Sequence, residues 1–565
     1  MSIQTETIRD GSSIIYRCNT TYDIPKLDIL TLLFESKHST AIEQQPLHVD
    51  AENPNLKLTK AETRDLTKRV AHSLRHRYGV GAGTEPSYVT CIASGSYVMP
   101  TMFYGVLAAG GIFSSVSSSS TVDELVRLIK GAPSDVVIYN EDTKDVVIAA
   151  AKECGIPADR LLLIDAPNVA LRESATGKDV LTSEMLDWKR ITSQKELEST
   201  PSCLIYSSGT TGLPKGVTLS HMNMVAEVFI SCQMQREQIF AKEPNFKYTT
   251  LAHLPVAHIA GMQGYFVNPV FMGGTTYWMP KFDFLKFLEY NRRYKISIFF
   301  TVPPIYLLIA KTPEVTDQFD HLRVAYSGAA PMKKELQEAA SKKFGKGKVF
   351  IMQTWGLSES TGSTTLLNVD EKDELGSVSR LLPNMSARIV DEQGQDVGPG
   401  EEGEIYLKGP VIFNSYHKNP GATAETFDRD GWFKTGDVGC FKDGLLFIVD
   451  RKKELIKYKG MQVAPAELEG LLLSHPEIAD AAVIGVEWEG TEAPRAYVVA
   501  DKNRMTPDRV KQFVKDKMSS HKQLRGGVVY LDAIPKSPSG KILRKDLRAL
   551  VKKEEAAMAD GKARL

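Results

Sequence analysis

Apolar positions along the chain keep two rhythms that take turns. Leu66, Val70 and Leu74 fall at i, i+4 and i+8 with Gly79 behind them, which predicts an amphipathic helix with a glycine stop. Thr121 and Glu124 form a capping box ahead of Leu125, Leu128 and Ile129, and Gly131 closes that helix. Apolar runs too short for helices, at 136–139, 161–164, 204–206, 298–302 and 323–326, predict buried strands. Strands alternating with helices predict an α/β fold of layered subdomains with largely parallel sheets. Residues 86–122 carry no charge, but Pro100, Gly110, Gly111 and many serines interrupt them. They read as a buried strand followed by a buried helix, not a membrane span. Residues 258–280, also uncharged, are broken in the same way by Pro269, Gly273 and Gly274.

After Asp391 the texture changes. Gly394, Gly398, Pro399, Gly400 and Gly403 punctuate short strands such as 404–407, which predicts a β-rich lobe over about 391–449. The charged run Asp450-Arg451-Lys452-Lys453 separates it from a segment with its own helices (465–473, 508–517) and strands (481–486, 496–500, 528–531). The expected division is an N-terminal domain at 1–449, a connector at 450–453 and a small α+β domain at 454–565. The Ser114 to Ser120 patch is too short to be a linker.

Composition narrows the function classes. Lys plus Arg and Asp plus Glu are both 69 in 565 residues, so the basic excess of a nucleic-acid reader is absent. Charged residues at 24 % and apolar residues at 42 % exclude a disordered or collagenous chain. The 6 cysteines make no C-x-x-C pair and read as small buried hydrophobes in a reducing compartment. The 11 histidines show no H-E-x-x-H zinc pattern. The first ten residues lack the apolar core of a signal peptide. Ala563-Arg564-Leu565 is a conservative variant of the Ser-Lys-Leu address, which predicts peroxisomal localisation through an import receptor.

The strongest chemical feature is Tyr206-Ser207-Ser208-Gly209-Thr210-Thr211-Gly212-Leu213-Pro214-Lys215-Gly216-Val217, a loop expected to leave a sheet edge. Its glycines let backbone N–H groups face an anion without Cβ obstruction. Four hydroxyls and Lys215 add donors suited to phosphate oxygens. It is not a Walker A loop, because no Lys-Ser/Thr pair follows the second glycine.

This run resembles the phosphate signature of the adenylate-forming superfamily: acyl-CoA synthetases, 4-coumarate:CoA ligases, luciferases and peptide-synthetase adenylation domains. The other family motifs follow in order from about Asp23 to Lys545. Leu254-Pro255-Val256-Ala257-His258 resembles the segment whose histidine gates the acyl site; by itself His258 reads as a satisfied core imidazole, and within this family as a gate or pocket wall. Ser327-Gly328-Ala329-Ala330 matches the adenine and acyl contacts. Gln353-Thr354-Trp355-Gly356-Leu357-Ser358-Glu359 resembles the Gln-Gly-Tyr-Gly-x-Thr-Glu motif, which implies Trp355 against adenine and Glu359 on magnesium. Thr354 and Ser358 depart from the usual Gly and Thr, and Thr354 adds bulk beside the acyl site. Ala260 stands where plant coumarate ligases carry a tyrosine, which implies a roomier pocket. Asp437 matches the ribose carboxylate. Asp450 to Lys453 matches the hinge, with Arg451 and Lys453 toward the nucleotide. Lys457 and Gln462 match active-site positions, Lys459 and Gly460 the CoA-facing turn. Lys541, in Pro535-Lys536-Ser537-Pro538-Ser539-Gly540-Lys541, matches the lysine that bridges the α-phosphate and the acyl carboxylate.

The resemblance implies a ligase that uses a carboxylic acid, Mg-ATP and CoA. The acid attacks the α-phosphate, pyrophosphate leaves, and the small domain turns about 450–453. The CoA thiol then takes the acyl group and AMP is released. Transfer to a carrier protein, luciferase-like oxygenation and non-catalytic acyl-nucleotide binding remain alternatives at this point. The acid itself, whether fatty, aryl or a specialised metabolite, is not readable.

Overall fold

The computed structural model describes residues 2–11, 13–207, 214–330, 332–459, 461–537 and 540–562. An eight-stranded sheet runs in the order Ser415–Tyr416, Lys215–Ser220, Pro201–Ser207, Ile112–Val116, Tyr88–Ile92, Ser134–Tyr139, Leu161–Asp165, Ala170–Glu173. Its neighbours from Pro201–Ser207 to Leu161–Asp165 are parallel, and antiparallel strands finish both ends. A second sheet holds Thr249–Ala252, Thr275–Trp278, Pro46–Asp50 and Lys57–Thr59. A third, all parallel, holds Ile298–Thr301, Val324–Ser327 and Ile351–Gln353. The expected short strands and the α/β layering are present.

Local chemistry sets the helix bounds. Lys60–Tyr78 is capped by Thr59 and Glu62 and stopped by Gly79 at φ 76°. Its buried face, with Leu66, Val70 and Leu74, packs on Met99–Ala108, a helix buried on every side. The Thr121–Glu124 capping box is present, and Gly131 is the last helical residue of Val122–Gly131. Residues 86–122 form the expected strand and buried helix, and then a second strand, Ile112–Val116. Among the described residues no helix is long and apolar enough to cross a membrane. Cys18, Cys91, Cys203, Cys232 and Cys440 are buried free thiols, and Cys154 is half-buried.

The β-rich lobe is larger than the sequence reading had it. Its six-stranded antiparallel sheet begins at Ser386–Val390, continues through Gly403–Lys408, Phe433–Lys442 and Leu445–Arg451, and takes in Thr5–Asp10 and Ser13–Cys18 from the other end of the chain. Tyr16 seals this union by stacking on Phe441 at 4.2 Å between ring centroids. The partner of a short N-terminal strand lies beyond the reach of any local pattern.

The small domain pairs Ile478–Trp488, Thr491–Ala500 and Gly527–Tyr530 in one sheet, with helices Pro465–Leu473 and Pro507–Lys515 and the last helix, Arg544–Lys562. At the start of that last helix, Arg544 is buried between Glu454 (2.9 Å) and Glu469 (2.7 Å). Burial holds the Glu469 carboxyl up at about 7, and Arg544 draws it back. Arg544→Leu leaves two carboxylates without their cation, a loss of about 3–5 kcal/mol. The expected outcome is a lower denaturant midpoint for the small domain, read by hydrogen exchange of its sheet, with the large domain unchanged.

Candidate active site

A cavity of about 2090 Å³ opens where the parallel strands end. Ser115 and Val116, Tyr206 and Ser207, Tyr326 and Gly328, and Thr354 and Trp355 line it, each pair at the carboxyl end of its strand. That is the usual place for a ligand in parallel α/β sheets. The small domain covers it with Lys457, Glu492, Lys536, Ser537, Lys541 and Leu543.

One end is built for anions. Ser207 and Lys215 pair across an antiparallel hairpin, and both line the cavity. The signature run therefore joins two neighbouring strands inside the sheet and does not leave from its edge. Ser208, Gly209, Thr210, Thr211 and Gly212 lie outside the described residues, as do Gly460 and Ala563, Arg564 and Leu565. Ser117, Ser119 and Ser120, from the serine patch, also line the cavity. The Lys215 ammonium sits 4.8 Å from the Tyr416 ring centroid, and the Tyr416 hydroxyl donates to Glu359 Oε1 at 2.9 Å. Burial, then the Glu359 charge, pushes the Tyr416 phenol up, so it stays a donor. Glu359 and Ser358 sit in the turn of a small hairpin, Gly356–Leu357 with Gly362–Ser363. A Cβ on Gly356 would stand 1.8 Å from the Gly362 carbonyl oxygen, so only glycine closes that turn.

Beside it Trp355, Asp437 and Arg451 form a bonded group. Trp355 is fixed by its backbone N–H to Thr365 Oγ1 (2.9 Å), and its indole N–H donates to Asp437 Oδ2 (2.9 Å). Asp437 is only 4 % exposed, and its other oxygen meets Arg451 Nε at 3.3 Å, its cross-strand neighbour. Burial raises the Asp437 carboxyl, and Arg451, Trp355 and Lys541 oppose that rise. Asp437 stands behind the cavity wall rather than in it, with Gly436, Arg451 and Lys453 in front.

Lys541 reaches this group from the small domain. Around it, Lys541 N–H donates to Ser537 Oγ (3.2 Å), Gly540 N–H to the Ser537 carbonyl (2.8 Å), and Lys536 pairs with Asp480 (2.6 Å). Burial, helped by Arg451, pushes the ammonium down to about 8, while Glu454 and Asp437 hold it up. Facing it, His258 caps the short helix Ile259–Met262, and its Nδ1 accepts the Ala260 N–H at 3.3 Å. Burial and the Lys541 charge hold that imidazole down at about 4, so it is neutral with its proton on Nε2.

The structure thus gathers Ser207, Lys215, His258, Gly328, Ala329, Thr354, Trp355, Gly356, Ser358, Glu359, Arg451, Lys453, Lys457 and Lys541 around one space. Other expected site residues lie elsewhere. Gln353 is buried beneath the wall, bonded to Met332 N–H (3.3 Å) and to Gln337 Oε1 (3.1 Å). Ala330 is not in the wall. Gln462 donates to Glu392 of the lobe at 2.8 Å, and Lys459 lies 5.4 Å from the Trp488 ring on the outer face of the small domain. Reading by motif missed Tyr416, Glu454 and Glu227. Glu227 alone had a sequence signal: it is the one charge in the otherwise apolar run 224–230.

A cation at a hydroxyl-bearing end, a carboxylate beside an indole and a neutral imidazole at the junction suit an acyl–nucleotide reaction, and comparison with known proteins agrees. The sequence profile of the AMP-binding enzyme family matches residues 38–417, and that of the AMP-binding enzyme C-terminal domain matches 467–541. A protein of Emericella nidulans, provisionally named an acyl-coenzyme A synthetase, is 47 % identical over 537 residues, covering 93 % of this chain and 96 % of its own. Phenylacetyl-CoA ligase epaB of Aspergillus niger is 33 % identical over 537 residues, covering 93 % of this chain and 96 % of its own. The crystal structure of ATP-bound MatB from Rhodopseudomonas palustris superposes with a TM-score of 0.78 at 25 % identity, over 93 % of this chain and 99 % of that one. With two profiles in chain order and relatives matched nearly end to end, the chain belongs to the AMP-binding enzyme family.

Proposed function

We propose that this chain is an AMP-forming acyl-CoA ligase whose one cavity serves two half-reactions. The observation that carries this reading is Lys541, an ammonium brought by the small domain to the junction of the anion end, the Trp355–Asp437 group and His258. An acid's carboxylate and the α-phosphate of ATP repel each other, and one cation between them offsets both charges. In the first half-reaction the carboxylate oxygen attacks the α-phosphorus and pyrophosphate leaves. Lys215 and the hydroxyls of its hairpin hold the β- and γ-phosphates. Trp355 offers its face to adenine, and Asp437, behind the wall, holds that indole in place through its N–H. Glu359 fits a magnesium ion, which takes one or two carboxylates and keeps phosphate oxygens and water as its other ligands. Such an ion would neutralise the phosphate oxygens.

The second half-reaction needs the thiol of CoA at the acyl carbonyl, where Lys541 stands. Arg451 ends the strand Leu445–Arg451, the last in chain order of the lobe's sheet. Rotation about 450–453 would withdraw Lys541 and bring Lys459, which lies outside the cavity, to its mouth. The thiol sulfur then forms the thioester bond, the mixed anhydride breaks, and AMP leaves. Gln462, bonded to Glu392, fits a contact that breaks on that turn. Residues 563–565 support peroxisomal import of the chain as a further part of this reading.

Aliphatic and aromatic acids assayed for pyrophosphate release, with and without CoA, should give CoA-dependent turnover and a thioester by mass spectrometry; adenylate without thioester would reassign the acceptor. Lys541→Ala should lower adenylation at least about 100-fold while ATP binding stays within a few-fold. Because the adenylation step uses the protonated amine, kcat/KM should fall as pH rises through about 8 in the wild type. Trp355→Phe keeps the ring but strips a donor from buried Asp437, a loss of about 1–3 kcal/mol that should appear in kcat/KM for ATP. Deleting 563–565 from a chain labelled at its N-terminus should shift its fluorescence from peroxisomes to cytosol.

A further inference from the structure

One stretch of the cavity wall is polar in a way that the ligase reaction does not use. Glu227 lies on the helix His221–Phe240 among Met224, Val225, Val228 and Ile230. It is 3 % exposed and lines the cavity. Its Oε1 accepts the Ser363 N–H at 3.0 Å, and its Oε2 has no partner among the described protein atoms. The hairpin backbone is pressed against it, for a Cβ on Gly362 would stand 2.7 Å from Oε1. An uncompensated buried carboxyl is costly, and a ligand is one reason to keep it.

Its neighbours share the deficit. Gln263 Oε1, Asn268 Oδ1 and the Tyr326 hydroxyl also line this space without protein partners. Gln263 and Asn268 are brought inward by a π-helical turn, Gln263–Val267, ahead of Pro269. Pro269 has no N–H to give the Tyr265 carbonyl, and Thr276 Oγ1 supplies that bond at 3.4 Å. Gln263 reaches the Glu227 helix directly, through Nε2 to Met224 Sδ at 3.6 Å. The Lys541 charge bears on His258 and Asp437, whereas burial raises the Glu227 carboxyl and the Ser363 N–H lowers it.

We propose that the acid activated here carries a hydrogen-bond donor, a hydroxyl or an amine, on the end remote from its carboxylate, and that Glu227 selects it. The proposal rests on the ligase reading of the same cavity. Gln263 Oε1 and Asn268 Oδ1 are acceptors, and Glu227 Oε2 is a third once its carboxyl is ionised, so a donor-bearing substrate satisfies them and a bare hydrocarbon end leaves them buried and unpaired. Burial pushes the Glu227 carboxyl well above the ordinary carboxylate range. An incoming ammonium would reverse that push, and a hydroxyl needs only an acceptor.

The test compares matched acids in ATP–pyrophosphate exchange: phenylacetate with its 4-hydroxy and 4-amino forms, and octanoate with its 8-hydroxy and 8-amino forms. In at least one series the donor-bearing acid should exceed the plain one at least about tenfold in kcat/KM. Glu227→Gln keeps an acceptor without charge, so it should lose preference for the amine more than for the hydroxyl. Glu227→Leu should invert the order toward the plain acid. Preference for the plain acid in both series, or an order unchanged in both variants, overturns the proposal. Equilibrium dialysis of the same acids reads the preference without turnover. Exchange absent for every acid while that preference persists in binding would overturn the ligase reading and keep the role of Glu227.

Discussion

An ammonium must leave water for this site to exist. Lys541 belongs to the small domain, yet its charge ends in a cavity walled by the large one, and the cost of that burial organises what surrounds it. Asp437 and Glu454 offset part of it, and Arg451 adds to it. Arg451 is itself tied to Asp437, and Asp437 to the Trp355 indole. Disturbing the last strand of the lobe therefore reaches the nucleotide face and the lysine together. The arrangement is incomplete without anions, and the substrates supply them.

The facing imidazole completes the logic. A protonated His258 beside Lys541 would add a second buried cation, and burial prevents it. The cavity thus has a cationic junction, a hydroxyl-bearing end at Lys215 and a stretch of wall at Glu227 with polar atoms unpartnered among the described residues. In the proposed reaction each would meet a different part of the reacting pair.

Legibility in the sequence followed the range over which information is encoded. Helix bounds were legible because capping is local: Thr121, Glu124 and Gly79 act on residues within a turn of themselves. The short parallel strands were legible as apolar runs. The site was legible where a motif fixes residues within one loop, as around Lys215, Trp355 and Lys541. It was not legible where geometry joins distant segments, as in the Lys215–Tyr416–Glu359 line. Gln353 shows the opposite failure, a motif residue whose side chain turns into the core to bond Gln337. Gln462 and Lys459 sit in the right segment but on its other face, which depends on how the small domain is turned.

The N-terminal hairpin has a consequence for how the molecule is made. Ser13–Cys18 finds its neighbour at Ser386–Val390, and Ile3 bonds Asn368 across 365 residues. At about 5–20 residues per second, a ribosome takes tens of seconds to reach that partner. Throughout that interval the first strands of the chain emerge with nowhere to dock. The inward side chains, Ile14, Tyr16 and Cys18, stay exposed as a ready template for a wrong edge. Glu6, Arg9, Asp10 and Arg17 charge the same hairpin and discourage such pairing. The lobe closes late, so this hairpin is made well before it can become native.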